Sequence, residues 1–171
     1  MLRRLRLVGI FAGIVATSAA FWLLFLVVGL PLFPNLYPEG VIPTGFAWYV
    51  HAALATIPPL LSLLLTFFHG GLVAGGVTSA SPGLNGMAGA ALIAFGGFIW
   101  FVAPLVPSMW EPISNPGEVY TVSDNVGTLL TLIAMFCAVL PFVVLAGFLG
   151  ARLGGRLRNG LRGMSAGRSG A

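Results

Sequence analysis

Residues 125–149, NVGTLLTLIAMFCAVLPFVVLAGFL, run without a single Asp, Glu, Lys or Arg. Wound as a helix at 1.5 Å per residue they would extend roughly 37 Å, against a bilayer hydrocarbon core about 30 Å thick. An uncharged stretch of this length predicts a transmembrane helix, with Pro141 kinking it late. Ser123 or Asp124 offers an N-cap oxygen for its first orphan amides.

Upstream the pattern repeats three times. The block at about 7–30 spans with modest tilt, and Pro31, Pro34, Pro38 and Pro43 then prevent any helical continuation. The block at about 46–77 is longer than a bilayer requires, so Trp48, Tyr49 and His51 are placed at headgroup depth and Pro58-Pro59 is expected to kink the span. Residues 78–82 are too few for anything but a tight turn, which makes the third block, about 83–106, antiparallel to the second. Residues 107–122 carry Trp110, Glu111, Pro112, Asn115, Pro116, Glu118 and Tyr120, the composition of a solvated loop. The expected fold is all-α, a polytopic transmembrane four-helix bundle. It occupies residues 1–155 and is followed by a basic tail, 156–171, too poor in apolar residues to fold.

Charge supports that solvent and sets the orientation. The 171-residue chain is 58% hydrophobic and 7% charged, where a soluble domain carries roughly 25%, and a water-facing surface cannot be built from so little. All eight basic residues are Arg: Arg3, Arg4 and Arg6 precede the first block, and Arg152, Arg156, Arg158, Arg162 and Arg168 follow the last. The acids Glu39, Glu111, Glu118 and Asp124 all fall between blocks. The positive-inside bias therefore predicts both ends in the cytoplasm and a multi-pass protein of the cell membrane. The basic start and the small residues 16–20 resemble a cleavable signal, but cleavage there would strand residues 21–30 outside, so the first helix is expected to be retained. Arginines spread among glycines without aromatic residues make no nucleic-acid surface; anionic inner-leaflet lipid is the expected contact of the two Arg-rich ends.

Small residues recur at helical spacing. Gly9 and Gly13 on the first helix, Gly71 and Gly75 on the second, Gly86 and Gly97 on the third, and Gly147 and Gly154 on the fourth are candidate packing positions. Such faces allow the close backbone approach by which membrane helices associate. All three tyrosines, Trp48 and Trp110 sit towards the external boundary. A bundle tight inside and splayed outside would leave an external cleft, with Trp22, Trp48, Trp100 and Phe101 as its candidate lining.

Chemistry-bearing residues are few. His51 and His69 share a helix face, and paired histidines raise the possibility of haem ligation. They would stand roughly 27 Å apart, too far for one iron, and no third histidine exists to complete either site. No cofactor or metal is expected. No charged residue is placed at hydrocarbon depth, where pumps, proton relays and voltage sensors require one. Thr56, Ser62, Thr66, Thr128 and Thr131 could line a polar path, though hydroxyls in such helices more often bond back to the helix itself. No catalytic motif appears, and the single cysteine, Cys137, lies within an apolar span and reads as filler.

The stretch His69-Gly70-Gly71-Leu72-Val73-Ala74-Gly75-Gly76, a short Ser/Pro turn, and Gly83-Leu84-Asn85-Gly86-Met87-Ala88-Gly89 is similar to a pattern found in small four-helix prokaryotic membrane proteins, the YrzE-like group. There a GG-x-x-AG helix end meets an Asn-Gly helix start across a tight cytoplasmic turn. The resemblance implies topology and transfers no catalytic residue. The expected role is a non-enzymatic structural or accessory subunit of a membrane assembly, working with other membrane subunits or as a homo-oligomer. The alternatives are a protomer of an oligomeric channel or small-solute transporter, which would need self-association to form a pore, and a haem-carrying electron-transfer subunit.

Overall fold

The computed structural model describes the backbone of residues 2–24, 26–27, 45–78, 81–104, 106 and 122–168. The described residues form four helices: α1 Leu2–Leu24, α2 Phe46–Val77, α3 Pro82–Val102 and α4 Val122–Arg168. No strand occurs among them. Each helix contains a segment long and apolar enough to cross a membrane. The loop residues Glu39, Trp110, Glu111 and Glu118 lie outside the described residues.

Consecutive helices alternate in direction. Gly9 of α1 lies against Thr78 at the end of α2, and Gly13 against Gly70 and Ala74. Pro82 opens α3 at its first helical position, where a missing amide proton costs nothing. Ser81 before it turns the chain with a left-handed φ of 48°. Helix α4 then returns antiparallel to α3, with Gly83 beside Phe148, Gly86 beside Gly147 and Ala151, and Gly155 reaching Pro82. α1 and α4 each pack on both α2 and α3. The start of α1 and the C-terminal half of α4 consequently lie together at the α2–α3 turn.

The tightest seam joins α2 to α4, which run parallel. A side chain at Gly71 would collide with the carbonyl of Gly147, and one at Gly75 with the carbonyl of Ala151. Reciprocally, one at Gly150 would meet the carbonyl of Phe68, and one at Gly154 that of Leu72. Backbone packs on backbone here, the geometry that small residues four apart permit. Above this seam the core is thin: Phe67, Ala90 and Val143 form its buried centre, flanked by Leu63, Ile93 and Val139.

Two boundaries depart from the sequence expectation. α4 begins at Val122, which places Ser123 and Asp124, expected at the N-cap, inside its first turn. At its other end α4 continues to Arg168, so residues 156–168 are helical where their composition alone reads as too poor in apolar residues to fold. Gly154 and Gly155, which alone would read as breakers, are held in helix by close packing on Leu72 and Pro82. The helix therefore enters the tail already nucleated.

Candidate functional site

Away from the α2–α3 turn the helices leave between them a half-open cavity of about 670 Å³. Phe21 and Trp22 of α1, Leu63 of α2, Gly97 of α3, and Phe136 and Val139 of α4 are among its lining. Its α3 wall begins at Ile93, eleven residues past Pro82, and ends at Phe98. That places it roughly 16–24 Å along the helix from the turn. Phe67 and Val143 of the buried core form its floor. Between α3 and α4, Phe98 stacks on Phe136 with ring centroids 4.2 Å apart, and Phe95 meets the same ring edge-on at 5.2 Å.

The threonine hydroxyls in the wall are turned back onto their own helices. Thr17 Oγ1 donates to the Gly13 carbonyl at 2.8 Å, and Thr66 Oγ1 to the Ser62 carbonyl at 2.7 Å. Nearer the start of α4, Thr131 Oγ1 donates to the Gly127 carbonyl at 2.9 Å in the same way. The lining presents carbon almost throughout, and the cavity can hold an apolar molecule better than water or an ion.

Of the aromatic residues expected at an external cleft, Trp22 lines this cavity, whereas Trp100 is 83% exposed and does not. Trp100 sits two residues past Phe98, beside the α3 face that looks inward and not on it. The side chains of Trp48 and Phe101 lie outside the described residues. Of the candidate packing glycines, Gly9, Gly13, Gly71, Gly75, Gly86, Gly147 and Gly154 stand where an added Cβ would strike a neighbouring helix or the chain at its end. Gly97 differs. A Cβ there would meet nothing within 4 Å, because Gly97 faces the cavity.

His69 is exposed, and the side chain of His51 lies outside the described residues. Among the described residues no three His, Cys, Asp or Glu side chains gather as a metal site would require. Cys137 is exposed on α4 instead of filling the interior.

A polar cluster that the sequence reading did not single out lies at the α2–α3 turn. Asn85, buried in α3, donates from Nδ2 to Thr78 Oγ1 at 2.9 Å, and Thr78 Oγ1 donates to the Ala74 carbonyl at 3.0 Å. The signal available was an Asn seven residues after a Thr across a Ser-Pro turn, a spacing common enough to carry little information alone. Its role is a clasp, since both side chains are occupied within the fold.

No protein-family model, no curated protein and no solved structure matches this chain.

Proposed function

We propose that this chain is a multi-pass protein of the cell membrane with both ends cytoplasmic, serving without chemistry of its own as a structural or accessory subunit of a larger assembly. The observation that supports this reading is the overlength of α4. Its 47 residues amount to roughly 70 Å of helix, against about 40–45 Å for a bilayer with its headgroups. Past Gly155 the helix leaves the bundle for thirteen more residues, with Leu153, Leu157 and Leu161 repeating every fourth position on one exposed face. Arg156 and Arg158 flank that stripe. A projecting leucine stripe suits the helix of a second subunit. The arginines would sit at anionic inner-leaflet headgroups.

The oligomeric channel finds less support, because the wall is almost wholly apolar and its two threonine hydroxyls, of Thr17 and Thr66, are bonded to their own helices. The experiment is purification of the tagged full-length chain from its native membranes, beside a Leu157→Glu/Leu161→Glu variant. The expected result is a second membrane subunit that accompanies the wild type and is lost from the variant, while both melt at the same temperature. A native mass showing copies of this chain alone in both samples would overturn the accessory reading in favour of the homo-oligomer.

A further inference from the structure

We propose that the cavity between the four helices is a binding site for one hydrocarbon chain of a bilayer lipid. This rests on the placement of the helices in a bilayer and is independent of any partner subunit.

Three observations lead to it. The first is depth: the α3 wall lies roughly 16–24 Å from the turn, within the distal half of a hydrocarbon core about 30 Å thick. The molecules that reach this depth from the side are lipid chains. The second is chemistry. Thr17 and Thr66, whose hydroxyls could have hydrated the space, donate to Gly13 and Ser62, so that apart from Ser18 the surface is defined by apolar residues such as Phe21, Leu63, Phe136 and Val139. An apolar cavity does not fill with water, and left empty it forfeits dispersion contacts along its whole lining. At about 670 Å³ it falls within the range of pockets that enclose a small molecule.

The third observation is Gly97. The glycines at Gly71, Gly75 and Gly147 each admit a backbone or side chain of a neighbouring helix, whereas among the described residues none places an atom within 4 Å of a Cβ built at Gly97. Among the described residues it is the one glycine in the cavity wall. Its missing side chain widens the cavity instead of tightening a seam, and a slender flexible chain is the occupant that such a widened slot, walled by Phe98 and Phe136, accommodates.

The test uses the full-length chain in phosphatidylcholine vesicles containing a phosphatidylcholine with a diazirine midway along one acyl chain. After illumination, adducts are mapped by mass spectrometry. Adducts are expected at Leu63, Ile93 and Val139 inside, as well as at Leu92 and Leu130, which are exposed on the outer faces. Gly97→Phe fills the cavity, and relative to the outer adducts the inner ones should fall about tenfold, a loss of about 1.4 kcal/mol in occupancy. Gly96→Phe, where a side chain also meets nothing but does not enter the cavity, should leave the ratio unchanged. Gly97→Leu supplies a smaller filler should the Phe variant fail to fold. Inner adducts that are absent, or that persist undiminished in both folded Gly97 variants, overturn the proposal. So does rapid reaction of Ala94→Cys, in a Cys137→Ala background, with a water-soluble maleimide, which would show an aqueous cavity. Loss of outer and inner adducts alike would sink the bilayer placement itself and the site with it.

Discussion

Thr78 closes α2 with two hydrogen bonds to one acceptor: its backbone amide and its hydroxyl both donate to the Ala74 carbonyl, at 3.3 and 3.0 Å. Asn85 then donates to the same hydroxyl from the next helix, so three groups on either side of the turn are fixed together beneath Gly9 of α1. Removing Asn85 leaves the Thr78 oxygen short of a donor in a site nearly closed to solvent. Asn85→Ala is expected to cost about 1–2 kcal/mol, read as a lower midpoint in reversible unfolding from mixed micelles. The glycines allow a sharper comparison, because helix propensity and packing oppose each other. Alanine is preferred to glycine in a helix interior by about 1 kcal/mol. At Gly127, where an added Cβ meets nothing within 4 Å, Gly127→Ala should be neutral or stabilising by up to about that amount. At Gly147 the new Cβ would lie 2.7 Å from that of Ala90 and 2.9 Å from the Gly86 carbonyl. Gly147→Ala should therefore destabilise by about 1–3 kcal/mol. The same unfolding measurement on both variants checks the opposite signs, and equal effects would contradict the seam.

Among the elements, α4 shows best what could and could not be read in advance. Its apolar run from Gly127 onward is evident from composition, since no other state of the chain satisfies so many apolar side chains and backbone groups together. Its continuation was hidden by Gly154, Gly155, Gly160 and Gly163, each of which weakens a helix by about 1 kcal/mol relative to alanine. What composition lacks is the packing at Gly154 and Gly155, which fixes the helix at the level of Pro82 and lets it propagate. The cavity was less legible still. Trp22 could be named for its size, but the wall is made largely of Leu, Val and Phe that look alike in sequence wherever they face, and only the register of four helices decides which look inward. Glycines, likewise, do not declare whether a neighbour fills their space, as at Gly147, or none does, as at Gly97. The projecting end of α4 carries Arg156, Arg158 and Arg162, and Arg152, just before it, rests over the Phe148 ring at 5.5 Å. Each arginine close to an anionic leaflet contributes about 1 kcal/mol. Replacing Arg156, Arg158 and Arg162 by Gln should thus weaken the contact of residues 156–163 with such a leaflet by about 3 kcal/mol, or about a hundredfold. The readout is amide exchange over that segment in nanodiscs with and without anionic lipid. Protection that depends neither on lipid charge nor on the arginines would count against the contact, and protection lost at high salt would support it.

Across the whole molecule, the alternation of helix direction and the distribution of charge point to the same arrangement. Because α1 meets the end of α2 and α4 reaches the start of α3, the start of α1 and the end of α4 share one end of the bundle. All eight arginines belong by sequence to those two ends, and all four acids to the segments between blocks or the first turn of α4. Orientation is then a collective property: α1 is tied to α2 at Gly13–Gly70, α2 to α4 at Gly71–Gly147 and α3 to α4 at Gly86–Gly147, so inverting any one helix breaks a seam, and the two arginine groups are expected to act on one rigid choice instead of on separate helices. Single cysteines at Leu5, Ser114 or Ser165, in a Cys137→Ala background, should report it when an impermeant maleimide is applied to intact cells. Ser114→Cys is expected to react, and Leu5→Cys and Ser165→Cys only after the cells are opened. Replacing Arg3, Arg4 and Arg6 by Gln should leave that pattern in place, because five arginines still hold the other end of the same bundle. Extending the replacement to Arg152, Arg156, Arg158, Arg162 and Arg168 should produce a mixed population in which Ser114→Cys is partly protected. If the first three substitutions alone inverted the chain, its helices would be choosing their direction one at a time during insertion, and the packed bundle would not be what sets orientation.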